Sequence, residues 1–268
     1  MVVFPPCKIN LGLNIISKRP DGFHNIETCF YPVPLTDILE IIPAPEFSFS
    51  QTGLQLDSQG SDNLCVRAYQ LLGRDYVIPP VAMHLHKIIP AGAGLGGGSS
   101  DAAYVLRLLN EIFELGISNA TLLQYAARLG SDCAFFLHNS PMLGKGKGEI
   151  LTPISVTLKG FYLVLVKPDI HIATADAYRG VTPHPPAESI SEVLQAGIRS
   201  WRGRLLNDFE ESVFRNYPEL KKIKDKFYQQ GVLYAGMSGS GSTVYGIFEK
   251  PVNLAAAFDG YFYWSGLL

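Results

Sequence analysis

The sequence is short of several things, and each shortage excludes something. No run of about 18 apolar residues occurs, so no membrane-spanning helix is expected. The opening residues MVVFPPCKIN lack the charged, apolar and small-residue regions of a signal peptide, which points to a cytoplasmic protein. Cysteine is sparse and scattered. Cys7, Cys29, Cys65 and Cys133 form no CxxC pair, so reduced, buried thiols are expected rather than a disulfide framework. Charge of one sign is also missing. The 22 basic residues against 24 acidic ones leave a formal net charge of −2, with no basic field for nucleic acid or an anionic membrane. There is no low-complexity tract and no internal repeat.

What is there is enough for a sizeable core: 268 residues, 47% of them hydrophobic, suit one large or two modest domains. CKINLGLNII alternates, with Ile9, Leu11, Leu13 and Ile15 on one face and Lys8, Asn10, Gly12 and Asn14 on the other, which predicts a half-buried strand. Pro20-Asp21-Gly22 marks a turn into another strand. Further strands are expected in DILEII, in Phe47–Leu56 and in PVAMHLHKIIP, and LKGFYLVLVKP starts a new block after the Pro153 region. Helical spacing is expected after an Asp62 or Asn63 cap, over Ala102–Phe113 and over Thr121–Leu129. Later helices are expected at Ser189–Trp201, Leu205–Asn216 and Pro218–Gly231, where Asn207 reads as a cap. VLYAGMSGSGSTVYGIF reads as strand, glycine turn, strand. The elements are mixed without strict βαβα order, which favours an α+β fold, with a domain boundary near residue 155.

The most informative stretch is IPAGAGLGGGSSDAA. It sets Pro90, Ala91, Gly92, Ala93, Gly94, Leu95, Gly96, Gly97, Gly98, Ser99 and Ser100 between a strand and a helix. A helix start exposes about four unpaired N–H groups and carries about half a positive charge. Glycines before it let the backbone close on a phosphate, and a plain turn needs one or two of them. Ser99 and Ser100 add hydroxyl donors or ligands for a phosphate-bound Mg²⁺, and Asp101 can cap the helix. The run is not a Walker A loop, because no Gly-Lys-Ser/Thr ends it. Gly92, Gly94 and Gly97 nominally match GxGxxG, so a dinucleotide-dependent oxidoreductase is a rival, although no ribose-binding acid about 20 residues on is evident.

The fuller string PAGAGLGGGSSDAA resembles the phosphate loop of the GHMP small-molecule kinases, named for galactokinase, homoserine, mevalonate and phosphomevalonate kinases. KINLGL resembles that family's first motif and AGMSGSGSTVYGIF its third, in the family's order and over nearly the whole chain. The resemblance implies an N-terminal domain like domain 2 of ribosomal protein S5, over residues 1–155, and a ferredoxin-like C-terminal domain over 156–268. It implies ATP as co-substrate on Pro90–Ser100, with Mg²⁺ and no tightly bound protein metal site. DGFH after the first motif is similar to the branch of the family whose acceptor is a cytidylated sugar alcohol. Nucleic acid and membrane are not expected as partners, and the chain is expected to be a monomer or homodimer.

The resemblance places the family's lysine on Lys8 and its catalytic aspartate on Asp132. Lys8 becomes a donor to phosphate and to that carboxylate, with Asn10 a polar substrate contact. By pattern alone Lys8 could be solvated, and Asp132 could merely cap the next helix. As general base Asp132 would take the proton of the attacking hydroxyl; if the proton leaves late, it orients the hydroxyl instead. Phe23 can stack on a nucleobase and His24 can bond its edge, or both can be ordinary strand-end residues. Members of that branch usually have tyrosine where Phe23 stands. Tyr178 is a candidate second wall of the base pocket, and Asn63, Leu64 and Lys87 are carried over near the adenine. Lys145 and Lys147 could meet a phosphate or water. His84 and His86 share a strand face but lack a third ligand. Two rivals stay open beside the oxidoreductase: a kinase of the same family for another alcohol, and a nucleotide-binding regulatory module without turnover.

Overall fold

The computed structural model describes residues 1–55 and 62–268; Leu56, the last position of one expected strand, lies outside them. The chain forms two compact units, each assembled from separate stretches. The first comprises Met1–Lys8, Leu35–Ala91 and Gly96–Ser140; the second comprises Ile9–Pro34, Gly92–Leu95 and Pro141–Leu268. This interleaved partition is different from a single division near residue 155.

The first unit carries a sheet of β1 (Val2–Val3), β4 (Ile38–Pro43), β5 (Ser48–Gly53) and β6 (Val81–Lys87), in the order β1-β4-β6-β5. Its alternation is visible in β6. Val81, Met83, Leu85 and Lys87 point inward, while Ala82, His84 and His86 lie on the other face. Helix α2 (Gly97–Ile112) packs on β4, and α1 (Leu64–Leu72), α3 (Asn119–Leu129) and α4 (Cys133–His138) gather around α2. Asn63 caps α1 by accepting from the Cys65 N–H at 2.9 Å. Ser118 caps α3, which ends before Gly130 as expected. Helix α2 starts five residues earlier than its apolar pattern suggests, inside the glycine run. Gly96, at φ +71°, breaks the chain there, and the helix then gains its stability by burying Ala102, Val105, Leu106 and Leu109 rather than from the propensity of its first turn.

The second unit holds most of a sheet in the order β2-β3-β7-β8, with β2 (Pro6–Lys18), β3 (His24–Thr36), β7 (Met142–Lys145) and β8 (Ile150–Pro153). It also holds an antiparallel sheet in the order β10-β11-β9-β12, with β9 (Tyr162–Lys167), β10 (Tyr234–Met237), β11 (Val244–Phe248) and β12 (Phe262–Leu267). The aromatic C-terminal tail, unplaced by pattern, is the edge strand β12 on β9. Val164, Val166, Val244 and Phe248 share a core with Phe209 and Val213 of α7 (Phe209–Asn216) and Leu220, Ile223 and Phe227 of α8 (Pro218–Gln229). Two short helices, α5 (Thr174–Arg179) and α6 (Ile190–Gln195), complete the unit.

Three expectations need correction. The strand β2 is not half-buried: Lys8, Asn10, Gly12 and Asn14 are as covered as its apolar face, with Asp132 against Lys8, Thr28 against Asn10 and the apolar Leu205 and Ile190 over Gly12. The helix expected over Ser189–Trp201 opens with a Ser189–Glu192 capping box but stops at Gln195. Gly197, at φ +85°, reverses the chain, and a single 3₁₀ turn follows. The helix expected from Leu205 begins only at Phe209, because the preceding residues bond to β2: the Leu206 carbonyl accepts from Leu13 N–H at 2.8 Å and Asp208 N–H donates to the Leu13 carbonyl at 2.9 Å. Among the described residues no helix is long and apolar enough to cross a membrane.

Candidate active site

Lys8 and Asp132 meet. Strand β2 delivers the lysine into the first unit, where it is 3% exposed, and its Nζ lies 3.4 Å from Asp132 Oδ2. Asp132 stands at the residue before α4, where a cap would be, but its backbone is already helical (φ −86°, ψ −14°) and its side chain makes no capping bond. The carboxylate instead takes Lys8 on one oxygen and the Ser131 hydroxyl, at 3.3 Å, on the other. The Asp132 side chain is 28% exposed, so a hydroxyl from outside can reach it. The Asp132 side chain therefore does not cap α4. Gly96 lets the chain pass beside this pair: a side chain there would come within 3.2 Å of Lys8 Cε and 2.9 Å of Phe136 Cζ.

The glycine run has two explanations, divided by residue. Gly94, at φ +74°, lies so close to the Ser238 carbonyl that any side chain would collide with it, and its own carbonyl accepts from the Ser238 hydroxyl at 2.8 Å. A side chain at Gly92 would press on His171, and one at Gly97 on Ile89 and the Lys87 ammonium. Packing alone therefore accounts for more glycines than the sequence argument allowed. Gly98 is the exception. It is exposed, in the first turn of α2, and a methyl group there would meet only Leu64 Cδ1, at an ordinary 3.6 Å. Among the described residues, packing does not require glycine at that position. Ala93 and Leu95 are buried anchors between the glycines, and Pro90 and Ala91 lead in from the strand. Ser99 and Ser100 follow in the same turn; the Ser100 hydroxyl is buried without a hydrogen-bond partner among the described residues.

Asp101 does not cap α2. It lies inside the helix, 1% exposed, and bonds the Lys87 ammonium at 2.8 Å. Lys87 also holds Asp37, whose other oxygen accepts from the backbone N–H groups of Ile88 at 2.6 Å and Ile89 at 2.8 Å. A lysine on the apolar row of β6 must carry its charge inward and needs such partners. It is therefore not placed as an open adenine contact. Burial pushes the Asp101 carboxyl up to about 7 despite the Lys87 charge, with Asp37 adding to the rise. Burial also works against the Lys87 charge, yet Asp101 and Asp37 together raise its pKa. Asp37 was missed in the sequence; the signal available was Lys87 itself, an inward charge without a stated counterion.

In the second unit the Asp21-Gly22 turn is closed by Arg19, which pairs with Asp21, and by the Asp21 carboxylate accepting from Phe23 N–H at 3.1 Å. Phe23 is 57% exposed, with the Lys147 ammonium 4.7 Å from its ring centre. The His24 ring stacks on Tyr178, with centroids 4.7 Å apart and planes 12° from parallel. Burial and then the Lys18 charge lower the His24 pKa, so its imidazole is neutral at pH 7 and offers one donor and one acceptor. Lys145 pairs with Glu27 at 3.3 Å. The Asn10 side chain donates to Thr28 Oγ1 at 2.9 Å, and its backbone N–H donates to the Ser238 hydroxyl at 3.2 Å, so it sits in a hydrogen-bonded layer. His84 and His86 share the Thr52 hydroxyl, each at 2.9 Å. Among the described residues no three His, Cys, Asp or Glu side chains gather as a metal site.

Comparison with known proteins shows the family. The GHMP kinases N terminal domain family matches residues 63–140, and the GHMP kinases C terminal family matches residues 187–262. The 4-diphosphocytidyl-2-C-methyl-D-erythritol kinase of Bacteroides thetaiotaomicron is 51% identical over 95% of this chain and 94% of its own. The enzyme of the same name from Parabacteroides distasonis is 47% identical over the full length of both chains. A crystal structure of 4-(cytidine 5'-diphospho)-2C-methyl-D-erythritol kinase superposes with a TM-score of 0.83 at 33% identity, covering 99% of this chain and 98% of that one. A homoserine kinase from Cytophaga hutchinsonii shares the fold at a TM-score of 0.74 and 15% identity, over 100% of this chain and 94% of its own.

Proposed function

We infer the chemistry from one premise: the chain belongs to the GHMP kinase family, in the branch of the 4-diphosphocytidyl-2-C-methyl-D-erythritol kinases. It is an ATP-dependent kinase that phosphorylates the 2-hydroxyl of 4-diphosphocytidyl-2-C-methyl-D-erythritol, a step of the methylerythritol phosphate pathway to isoprenoid precursors. The single observation that carries the roles of its residues is the contact of buried Lys8 with an Asp132 that caps nothing.

In the proposed reaction the acceptor hydroxyl lies against Asp132. Its oxygen bonds to the γ-phosphorus as the bond from that phosphorus to the β,γ-bridging oxygen breaks, and ADP leaves. The hydroxyl proton passes to an Asp132 carboxylate oxygen, a contribution of about 10²- to 10⁴-fold. Lys8 holds the carboxylate in place and offsets charge on the transferring group. The phosphates of ATP lie on Pro90–Ser100. Exposed Gly98, with no packing reason to be glycine, and the unpartnered Ser100 hydroxyl fit such a ligand, and Ser99 and Ser100 would hold Mg²⁺. Bound Mg²⁺ supplies charge neutralisation on the phosphate oxygens.

Phe23 and His24 take the cytosine. A neutral imidazole kept in plane by Tyr178 supports that reading, and Asn10 contributes through the layer it holds rather than as an open donor. Tyr178 is thus spoken for as the support of His24. The functional division proposed is residues 1–155 for phosphate loop and acceptor, and 156–268 for the C-terminal domain. The enzyme is cytoplasmic, a monomer or homodimer, with no nucleic-acid or membrane partner.

ADP release in the presence of Mg-ATP tests the substrate, with the cytidylated alcohol run beside homoserine, mevalonate and galactose. Turnover is expected with the cytidylated alcohol alone; turnover with one of the others keeps the kinase and overturns the acceptor. His24→Ala should raise the KM for the cytidylated alcohol at least about tenfold, as loss of a buried hydrogen bond and a stacked ring implies. An unchanged KM removes His24 from the base pocket.

A further inference from the structure

Asn207 reads in the sequence as a helix cap, and its Oδ1 does accept from the Phe209 N–H at 3.0 Å. Its amide nitrogen does something a cap does not need. It donates to the Met237 carbonyl at 2.8 Å and to the Gly239 carbonyl at 2.9 Å, the residues on either side of Ser238. Ser238 in turn donates its hydroxyl to the Gly94 carbonyl at 2.8 Å, and the Thr243 N–H donates to the Ala93 carbonyl at 3.2 Å. Gly94 packs directly against the Ser238 backbone, where any side chain would collide. The backbone of Asn207 is itself fixed, because its neighbours Leu206 and Asp208 bond Leu13 of β2. The amide is buried, and both its protons and its oxygen are used.

We propose that Asn207 is a positioning residue for nucleotide binding: through Met237, Ser238 and Gly239 it sets the place of Gly92–Leu95 in the phosphate loop. The inference rests on the reading of that loop as the ATP site. Asn207 touches no substrate. Its effect reaches ATP through two donated hydrogen bonds and one serine, so it should alter nucleotide affinity and leave the acceptor affinity alone.

Asn207→Asp separates the two roles. It keeps the oxygen that accepts from Phe209 and replaces the double donor with an acceptor facing two carbonyls. The expected result is a KM for ATP raised at least about tenfold, from the loss of two buried hydrogen bonds, with the KM for the cytidylated alcohol within about twofold. Hydrogen exchange of Gly94 and Leu95 should quicken in the same variant, a readout independent of turnover. Should Asn207→Asp fail to fold, Ser238→Ala cuts the relay one link later and carries the same two expectations. An ATP KM and a Gly94–Leu95 exchange rate both unchanged in a folded variant overturn the proposal. If the unaltered protein turns over no substrate, the kinase reading fails, and the exchange measurement alone then decides whether Asn207 holds the loop.

Discussion

At the scale of single residues, Asp132 and Gly98 separate chemistry from architecture. Asp132 makes no capping bond but pairs with buried Lys8, so Asp132→Asn should lower the melting temperature while lowering kcat by about 10²- to 10⁴-fold. A kcat within about twofold of the unaltered protein's would return Asp132 to a structural role. Gly98 gives the opposite pairing. An alanine there fits the helix and the space, so Gly98→Ala should stabilise the fold by up to about 1 kcal/mol. Its methyl group would stand where phosphate approaches the backbone, so the ATP KM should rise. Greater stability with unchanged ATP affinity would show that no ligand comes close to Gly98.

At the scale of elements, the buried Asp37–Lys87–Asp101 group joins the end of β6 to α2 and gives the fold a pH dependence. The Asp101 carboxyl stands at about 7 in the folded chain, against about 3.9 when unfolded. The folded state therefore holds this proton more tightly. The stabilising contribution is complete below pH about 4 and is lost as pH rises through about 7. Melting temperature should fall between pH 5 and 8 by more in the unaltered protein than in Asp101→Asn, and equal slopes would contradict the assignment. These elements also show what was legible in the sequence. The sequence pattern found β6 and β2, and it found α2 but set its start five residues too late. Helix ends set by tertiary bonds were not legible: the segment before α7 is held by Leu13, nearly two hundred residues away in sequence, and no local pattern reports that. The same holds within the site. Lys8 and Asp132 could be named from motifs, but the partners of Lys87, and the reach of Asn207 to Ser238, depend on which strands become neighbours.

At the scale of the whole molecule, all four cysteines are buried. Burial pushes the Cys29 and Cys133 thiols up to about 12 and raises those of Cys7 and Cys65 as well. A native sample treated with an aromatic disulfide reagent at pH 8 should react slowly at every thiol, and at all four once denatured. Rapid native labelling of even one would mean that a unit opens readily. The central claim is that this molecule moves phosphate from ATP to a sugar-alcohol hydroxyl with Asp132 receiving the proton. The most direct measurement follows γ-labelled ATP into product with 4-diphosphocytidyl-2-C-methyl-D-erythritol present, in the unaltered protein and in Asp132→Asn. The account expects label in a phosphomonoester at the 2-hydroxyl, one per ADP formed, and almost none in the variant. Label appearing only as inorganic phosphate, or equally fast transfer by the variant, would contradict it.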